Sequence, residues 1–370
     1  MNKSVADSKW MSLRCCPPFS VSASLLPMIH RLLFLFAFAT STLAQTITFT
    51  VSETAGLRRF GYPVTASLES AVGMIADADK VRLLAADGQE VPAQFTAMSK
   101  WPDGSVRGLD IDFSPSPGPM ETLTYRVEVG TDPKQTLRTG LSVTETNDEI
   151  VVASAAICHR IRRDGKPLLT SIAFGENEFI GPNGIGTTLQ PSTVEIVKRG
   201  PFNVTLKCGS VQLEYVNTKS WVKITQHADD ERELAIDAHF NLTKLPLLWD
   251  FGAGSWLYGN MSRLGQTVTI QHRNSTWDIL TAPTTVFATA PTFDGCGHLA
   301  DAERVVAFGV MQADHDTEVK LTAEGRLHIA AKRRDLTVYF HVVGQPIPVT
   351  AVTSPLAMIR PLVVVSVQNN

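Results

Sequence analysis

Between Trp249 and Arg263 the chain reads WDFGAGSWLYGNMSR: two tryptophans, a tyrosine, an aspartate, three glycines and an arginine in one loop-like segment. Residues of these types can hold a polyhydroxylated ligand, because sugar rings lay their C–H faces on aromatic planes while carboxylates and amides take the hydroxyls. Trp249, Asp250 and Trp256 are the binding candidates of this segment, and Tyr258 and Arg263 could do chemistry beside them. The competing reading is a Gly-rich turn between strands whose aromatics fill the sandwich core. Trp221, in WVKITQ, shares a strand face with Lys223 and Thr225, so it is either a stacking platform or the floor beneath a neighbouring domain. Trp277, beside Asp278, poses the same choice. Of the scattered histidines, His239 and His272 lie on predicted strands close to the aromatic segment and are the base candidates. No histidine pair has metal-ligand spacing, and there is neither HExxH nor CxxC, so no metal site is assigned. Asp314-His315-Asp316 offers carboxylates that calcium could use, but without the dense oxygen spacing of a calcium loop. No motif indicates a cofactor.

The elements that position these residues are strands. Alternation with a period of two runs through Ile47, Phe49 and Val51, through Tyr125, Val127 and Val129, through Ile236, Ala238, Phe240 and Leu242, and through Leu336, Val338, Phe340 and Val342. Phe308-Gly309-Val310 and Val363-Val364-Val365 are continuous apolar runs, which predicts central strands covered on both faces. Turn chemistry interrupts the strands at Asp87-Gly88, Pro102-Asp103-Gly104, Asp164-Gly165 and Pro182-Asn183-Gly184. The best helical stretch is Leu299 to Val305, about two turns. The expected class is all-β.

Of the 370 residues 44% are hydrophobic and 19% charged, and the net charge is −3, which fits a globular protein with a real core. Without a basic excess, nucleic acid is excluded as a partner class. Met28 to Arg31 forms a short positive region, Leu32 to Ala39 an apolar one, and Thr42-Leu43-Ala44 a small-residue cleavage site before Gln45. That is the pattern of an export leader, with Met28 as the expected start and residues 1–44 absent from the mature chain. The apolar run is short of the ~20 residues that span a bilayer, so no stable membrane span is expected after removal of the leader. The expected location is secreted, periplasmic or extracellular. Losing 1–44 makes the chain three charges more negative than the −3 of the whole. Cys158, Cys208 and Cys296 then remain, enough for one internal disulfide at most. Sequons at Asn203, Asn241, Asn260 and Asn274 would mark exposed sites in a eukaryotic host.

Lys100 to Phe113 reads KWPDGSVRGLDIDF, a Pro-Asp-Gly turn feeding a strand. Asp103, Gly104 and Arg107 are read as structural: turn geometry, plus an arginine paired with a carboxylate. This stretch resembles the N-terminal domain of the exo-rhamnogalacturonan lyase family, a small RIFT-type barrel, although Gly108 stands where the family often has tryptophan. Phe60 to Thr65 (FGYPVT) and Val91-Pro92-Ala93-Gln94 are similar to the same family, and Ile161 to Ile180, Val194 to Lys207 and Trp221 to Leu242 more loosely resemble its central β-sandwich. The resemblance implies a RIFT-type β-barrel over 45–140 followed by a large antiparallel β-sandwich over 141–370. The family's enzymes continue into a helical toroid, whereas this sequence ends in strand-like PLVVVSVQ, so the expectation is two accessory domains without the catalytic one. The leading expectation is an exported glycan-binding or accessory module for an acidic or rhamnose-containing polysaccharide. The first alternative is a working polysaccharide lyase, with Tyr258 or His272 as base and Arg263 as carboxylate clamp. The second is a structural envelope or adhesion protein. Nothing in the sequence fixes the oligomeric state.

Overall fold

A computed structural model describes residues 46–135, 140–154, 157–189, 192–217 and 221–241, and then 247–250, 256–259, 267–272, 275–280, 284–286, 296–300, 305–313, 317–322, 326–343 and 356–367. The expected leader lies outside these residues. The protein is all-β and its sheets are antiparallel, with two single helical turns among the described residues, a 3-10 turn at Ala78–Lys80 and an α-helical one at Leu356–Ile359. None of the described helices is long and apolar enough to cross a membrane.

The first sheets follow the period-two pattern. In strand Thr46–Ser52, Phe49 and Val51 are fully buried while the threonines between them keep partial exposure. This strand pairs with Thr122–Val129, which pairs in turn with Val81–Ala85. A three-stranded sheet of Val64–Glu69, Val106–Phe113 and Gln94–Lys100 lies over it. Ala66, Leu68, Leu109, Ile111 and Phe113 from one sheet and Phe49, Val51, Leu83 and Val127 from the other fill one core. Phe113 meets Phe49 edge-on at 5.9 Å and Tyr125 at 4.8 Å, the offset geometry that aromatic quadrupoles favour.

The larger part is a sandwich. Two long strands, Trp221–Phe240 and Arg326–Val343, pair along their length with a bulge between His227 and Arg232. Val211–Val216, Asn203–Cys208 and Val194–Lys198 extend this sheet on one side, and Val305–Val310 and Cys296–Ala300 extend it on the other. A five-stranded sheet running from Ser142–Glu145 to Asn177–Glu178 covers it. Ile150, Val152, Ile161 and Ile172 of the cover meet Leu206, Leu213, Val222 and Phe340 of the large sheet in a second core.

Two expectations need correction. The run at Val363–Val367 is not central: it pairs with strand Thr46–Ser52 at the end of the first five-stranded sheet, and Val363 and Val365 are exposed. Its valines alternate between core and solvent, so β-branching there serves strand propensity rather than two-sided burial. Leu299 to Ala300 is strand, paired with Val305–Val306, so the helical reading fails there. The segment described as loop-like holds parts of two strands, Leu247–Asp250 and Trp256–Gly259, paired antiparallel, the arrangement that the competing reading of a turn between strands expects. By contrast, Val306 to Val310 is buried throughout, as its apolar run predicts.

Candidate functional site

The WPDGSVR turn is structural. Asp103 accepts hydrogen bonds from the Ser105 amide and hydroxyl, which hold its carboxyl below the usual range. Gly104 takes φ +88°, a left-handed conformation that a side chain disfavours. Arg107 lies over the Trp101 ring at 4.9 Å and faces Glu69 at 3.8 Å. Trp101 Nε1 donates to the Ser70 carbonyl.

The polar groups that converge lie elsewhere, where the three-stranded sheet meets the large one. Asp110 and Asp112 share the outer face of strand Val106–Phe113, opposite the core side chains Leu109, Ile111 and Phe113. Lys198 Nζ, almost fully buried, donates to Asp110 at 2.9 Å and to Asp112 at 3.0 Å. Asp112 also accepts from Thr65 Oγ1 at 2.6 Å and from Asn203 Nδ2 at 3.1 Å. Burial pushes the Asp112 carboxyl up, against the pull of Lys198. The same Asn203 amide reaches Glu214, which accepts from Lys223 at 3.0 Å. The result is one chain of charges and amides from the first sheets into the large sheet. Gln94 ties the seam further, accepting from the Phe202 and Asn203 amides and donating to the Asn203 carbonyl. Gly200 makes room for this: a Cβ there would fall 2.2 Å from Gln94 Cδ.

Beside this chain opens a cleft of about 220 Å³. Its aromatic wall is Tyr62, Trp221 and Tyr339, with Tyr62 and Tyr339 edge-on to Trp221 at 5.6 and 5.8 Å. Tyr62 is set by the loop before it. Glu53, buried, accepts from the Ala55, Leu57 and Met120 amides and from Arg59. Burial would raise its carboxyl, but these bonds outweigh that and hold it low. Arg59, so fixed, lies over the Tyr62 ring at 4.7 Å. Burial raises the Tyr62 and Tyr339 hydroxyls well above the ordinary tyrosine value, so both stay protonated.

The hydroxyls of Tyr62 and Tyr339 and the Trp221 indole N–H have no hydrogen-bond partner among the described residues, and they are not sealed from water. The sealed, unpartnered side-chain atoms there are two others, His159 Nε2 and Tyr215 Oη. The residues carrying the open tips are themselves only 4–7% exposed. The cleft is therefore lined by three largely buried aromatic residues with unpaired polar tips, flanked by the Glu214–Lys223 pair and by apolar Val216 and Leu362. Among the described residues no cluster of histidine, cysteine and carboxylate could hold a metal ion.

Of the residues singled out in the sequence, Trp221 is in this cleft, buried beneath the first sheets rather than laid open as a platform. His239 stands at the other end of the same strand, eighteen residues away, roughly 60 Å at strand spacing. Burial and Arg326 push its imidazole pKa down. One sugar ring cannot touch both. Asp250 and Trp256 are register partners, as are Leu248 and Tyr258. His272 pairs with Ser275, and Ile270 with Trp277. The side chains of Trp249, Asp250, Trp256, Tyr258, His272 and Trp277, and the whole of Arg263, lie outside the described residues, as does Asp314-His315-Asp316. Asn203 is 2% exposed with its amide bonded to two carboxylates, so that sequon does not mark an exposed site; Asn241 is exposed. Cys158 and Cys208 are free thiols. Sequence reasoning missed Tyr62, Tyr339, Asn203 and Glu214 as site residues. For Lys223 a signal was present, its shared strand face with Trp221.

No protein-family model matches the chain, and no curated protein matches it. Among solved structures it is similar to a protein in glycosyl hydrolase family 38 from Enterococcus faecalis, at 11% identity and a TM-score of 0.49. The likeness covers 87% of this chain and 47% of the other, so this chain spans about half that protein's length.

Proposed function

We propose that this chain is an exported carbohydrate-binding β protein whose Tyr62–Trp221–Tyr339 cleft receives one sugar unit of a polysaccharide. One observation carries the reading. Three aromatic residues, each more than nine-tenths buried, line a single cavity, and their side-chain polar atoms have no hydrogen-bond partner among the described residues. An open, unpaired polar tip costs the fold little and is free to bond a ligand, and an aromatic-walled cavity lined by such residues is suited to a polyhydroxylated one. The aromatic wall takes the C–H face of a sugar, while the phenols, the indole and Glu214 take its hydroxyls. At about 220 Å³ the cavity falls below the roughly 300–1,000 Å³ of drug-sized sites, which fits one ring and not an extended chain. The WPDGSVR resemblance supports an acidic or rhamnose-containing polysaccharide as the partner and an accessory role beside a pectin-backbone lyase. The leader pattern supports export.

Titration of the mature chain with pectic oligosaccharides tests this. Tyr62→Phe and Tyr339→Phe each remove one hydroxyl without changing ring packing. Each should weaken binding about two- to tenfold, the worth of one neutral hydrogen bond, and leave thermal stability unchanged. Binding that neither substitution alters would place the ligand elsewhere.

A further inference from the structure

The cleft's cations are already committed. Lys198 is held between Asp110 and Asp112, and Lys223 is held by Glu214, so two cations stand against three carboxylates. Arg59, behind the Tyr62 ring, is paired with Glu53 and donates to the Arg360 carbonyl. The unspent groups are neutral: two phenols and an indole. Glu214 also retains acceptor capacity, since the bonds it makes use one lone pair on each oxygen, Oε1 to Asn203 and Oε2 to Lys223. Resting on the cleft as a sugar site, we infer that it selects a neutral, hydroxyl-bearing sugar unit over the uronate of the same stereochemistry.

The reason is a balance of partners. A sugar hydroxyl accepts from a phenol or the indole and donates to Glu214, so it completes both sides at once. A uronate carboxylate can only accept. It must shed water to enter and finds no uncommitted cation among the described residues that line the cleft, only a surplus of negative charge. On a polysaccharide with alternating neutral and acidic units, the ring in the cleft is the neutral one and the acidic neighbours stay in solvent.

The test uses stereochemically matched methyl glycosides, galactose against galacturonate and glucose against glucuronate, titrated into the whole mature chain at pH 8, where ordinary histidines are neutral. The neutral member should bind about tenfold more tightly, the order expected of one like-charge contact near a protein surface. The preference should shrink as salt is raised. Glu214→Gln removes the surplus charge and should bring the two affinities together. A uronate that binds the unmodified protein as tightly as its neutral counterpart, or a preference unmoved by salt and by Glu214→Gln, overturns the inference and leaves the sugar site standing. No binding by any member of either pair, nor by methyl rhamnoside, overturns the sugar site itself.

Discussion

Strand Val211–Val216 serves two regions that treat unpaired polar atoms in opposite ways. Glu214 and Val216 face the cleft, while Tyr215, between them, points into the sandwich core. Tyr215 Oη and His159 Nε2 are both sealed without a partner, their rings 4.8 Å apart. On the other face, the phenols of Tyr62 and Tyr339 are equally unpaired yet reach water. A sealed, unpartnered polar atom is a standing cost to stability, about 1–3 kcal/mol. An open one costs little and can bind. The same residue type thus burdens the fold on one side of the sheet and is left open to a ligand on the other.

The comparison can be broken most severely at the seam. Lys198→Met leaves Asp110 and Asp112 facing each other in a buried place, and should lower unfolding stability by about 3–5 kcal/mol in a denaturant titration. A loss under 1 kcal/mol would mean that the seam does not bind the two sheets together.

Acid distinguishes the sealed side. Burial lowers the His159 pKa to about 3, against its hydrogen bond with Val152. The unfolded histidine takes its proton near pH 6.5, so between those values the unfolded state binds more protons. Stability from this group is therefore complete above about pH 6.5 and falls as pH drops toward 3, by up to about 1.4 kcal/mol per unit. His159→Phe should flatten that part of the stability–pH curve, and an unchanged slope would show that His159 is not held neutral.

Tyr215→Phe removes a sealed hydroxyl and should raise stability by about 1–2 kcal/mol while leaving sugar affinity unaltered. The matching changes across the sheet, Tyr62→Phe and Tyr339→Phe, should lower sugar affinity and leave stability unchanged. If Tyr215→Phe destabilised the protein, its hydroxyl would have to be paired after all.

The sequence made the strands readable because period-two burial is local: Phe49, Val51, Tyr125 and Val127 announce their faces within a few residues. The WPDGSVR turn was readable for the same reason, since Asp103, Ser105 and Gly104 satisfy one another in a single reversal. The cleft was not. Tyr62, Asn203, Glu214 and Tyr339 come from four separate strands or loops, joined by pairings across more than a hundred residues, such as that of Lys223 with Tyr339. Nothing in the spacing of a single chain shows that such residues meet. The edge position of Val363–Val367 was hidden likewise, because an apolar run does not say which strand it joins.

The central claim, that ligand enters beside Trp221, is tested most directly by the indole N–H signals of the 15N-labelled protein during titration with pectic oligosaccharides, with Trp221→Phe assigning the relevant resonance. The Trp221 signal should move in proportion to saturation, because its Nε1–H acquires a partner. Saturable shifts confined to Trp249, Trp256 or Trp277, with Trp221 still, would contradict the account and move the site to the stretch from Trp249 to Trp277.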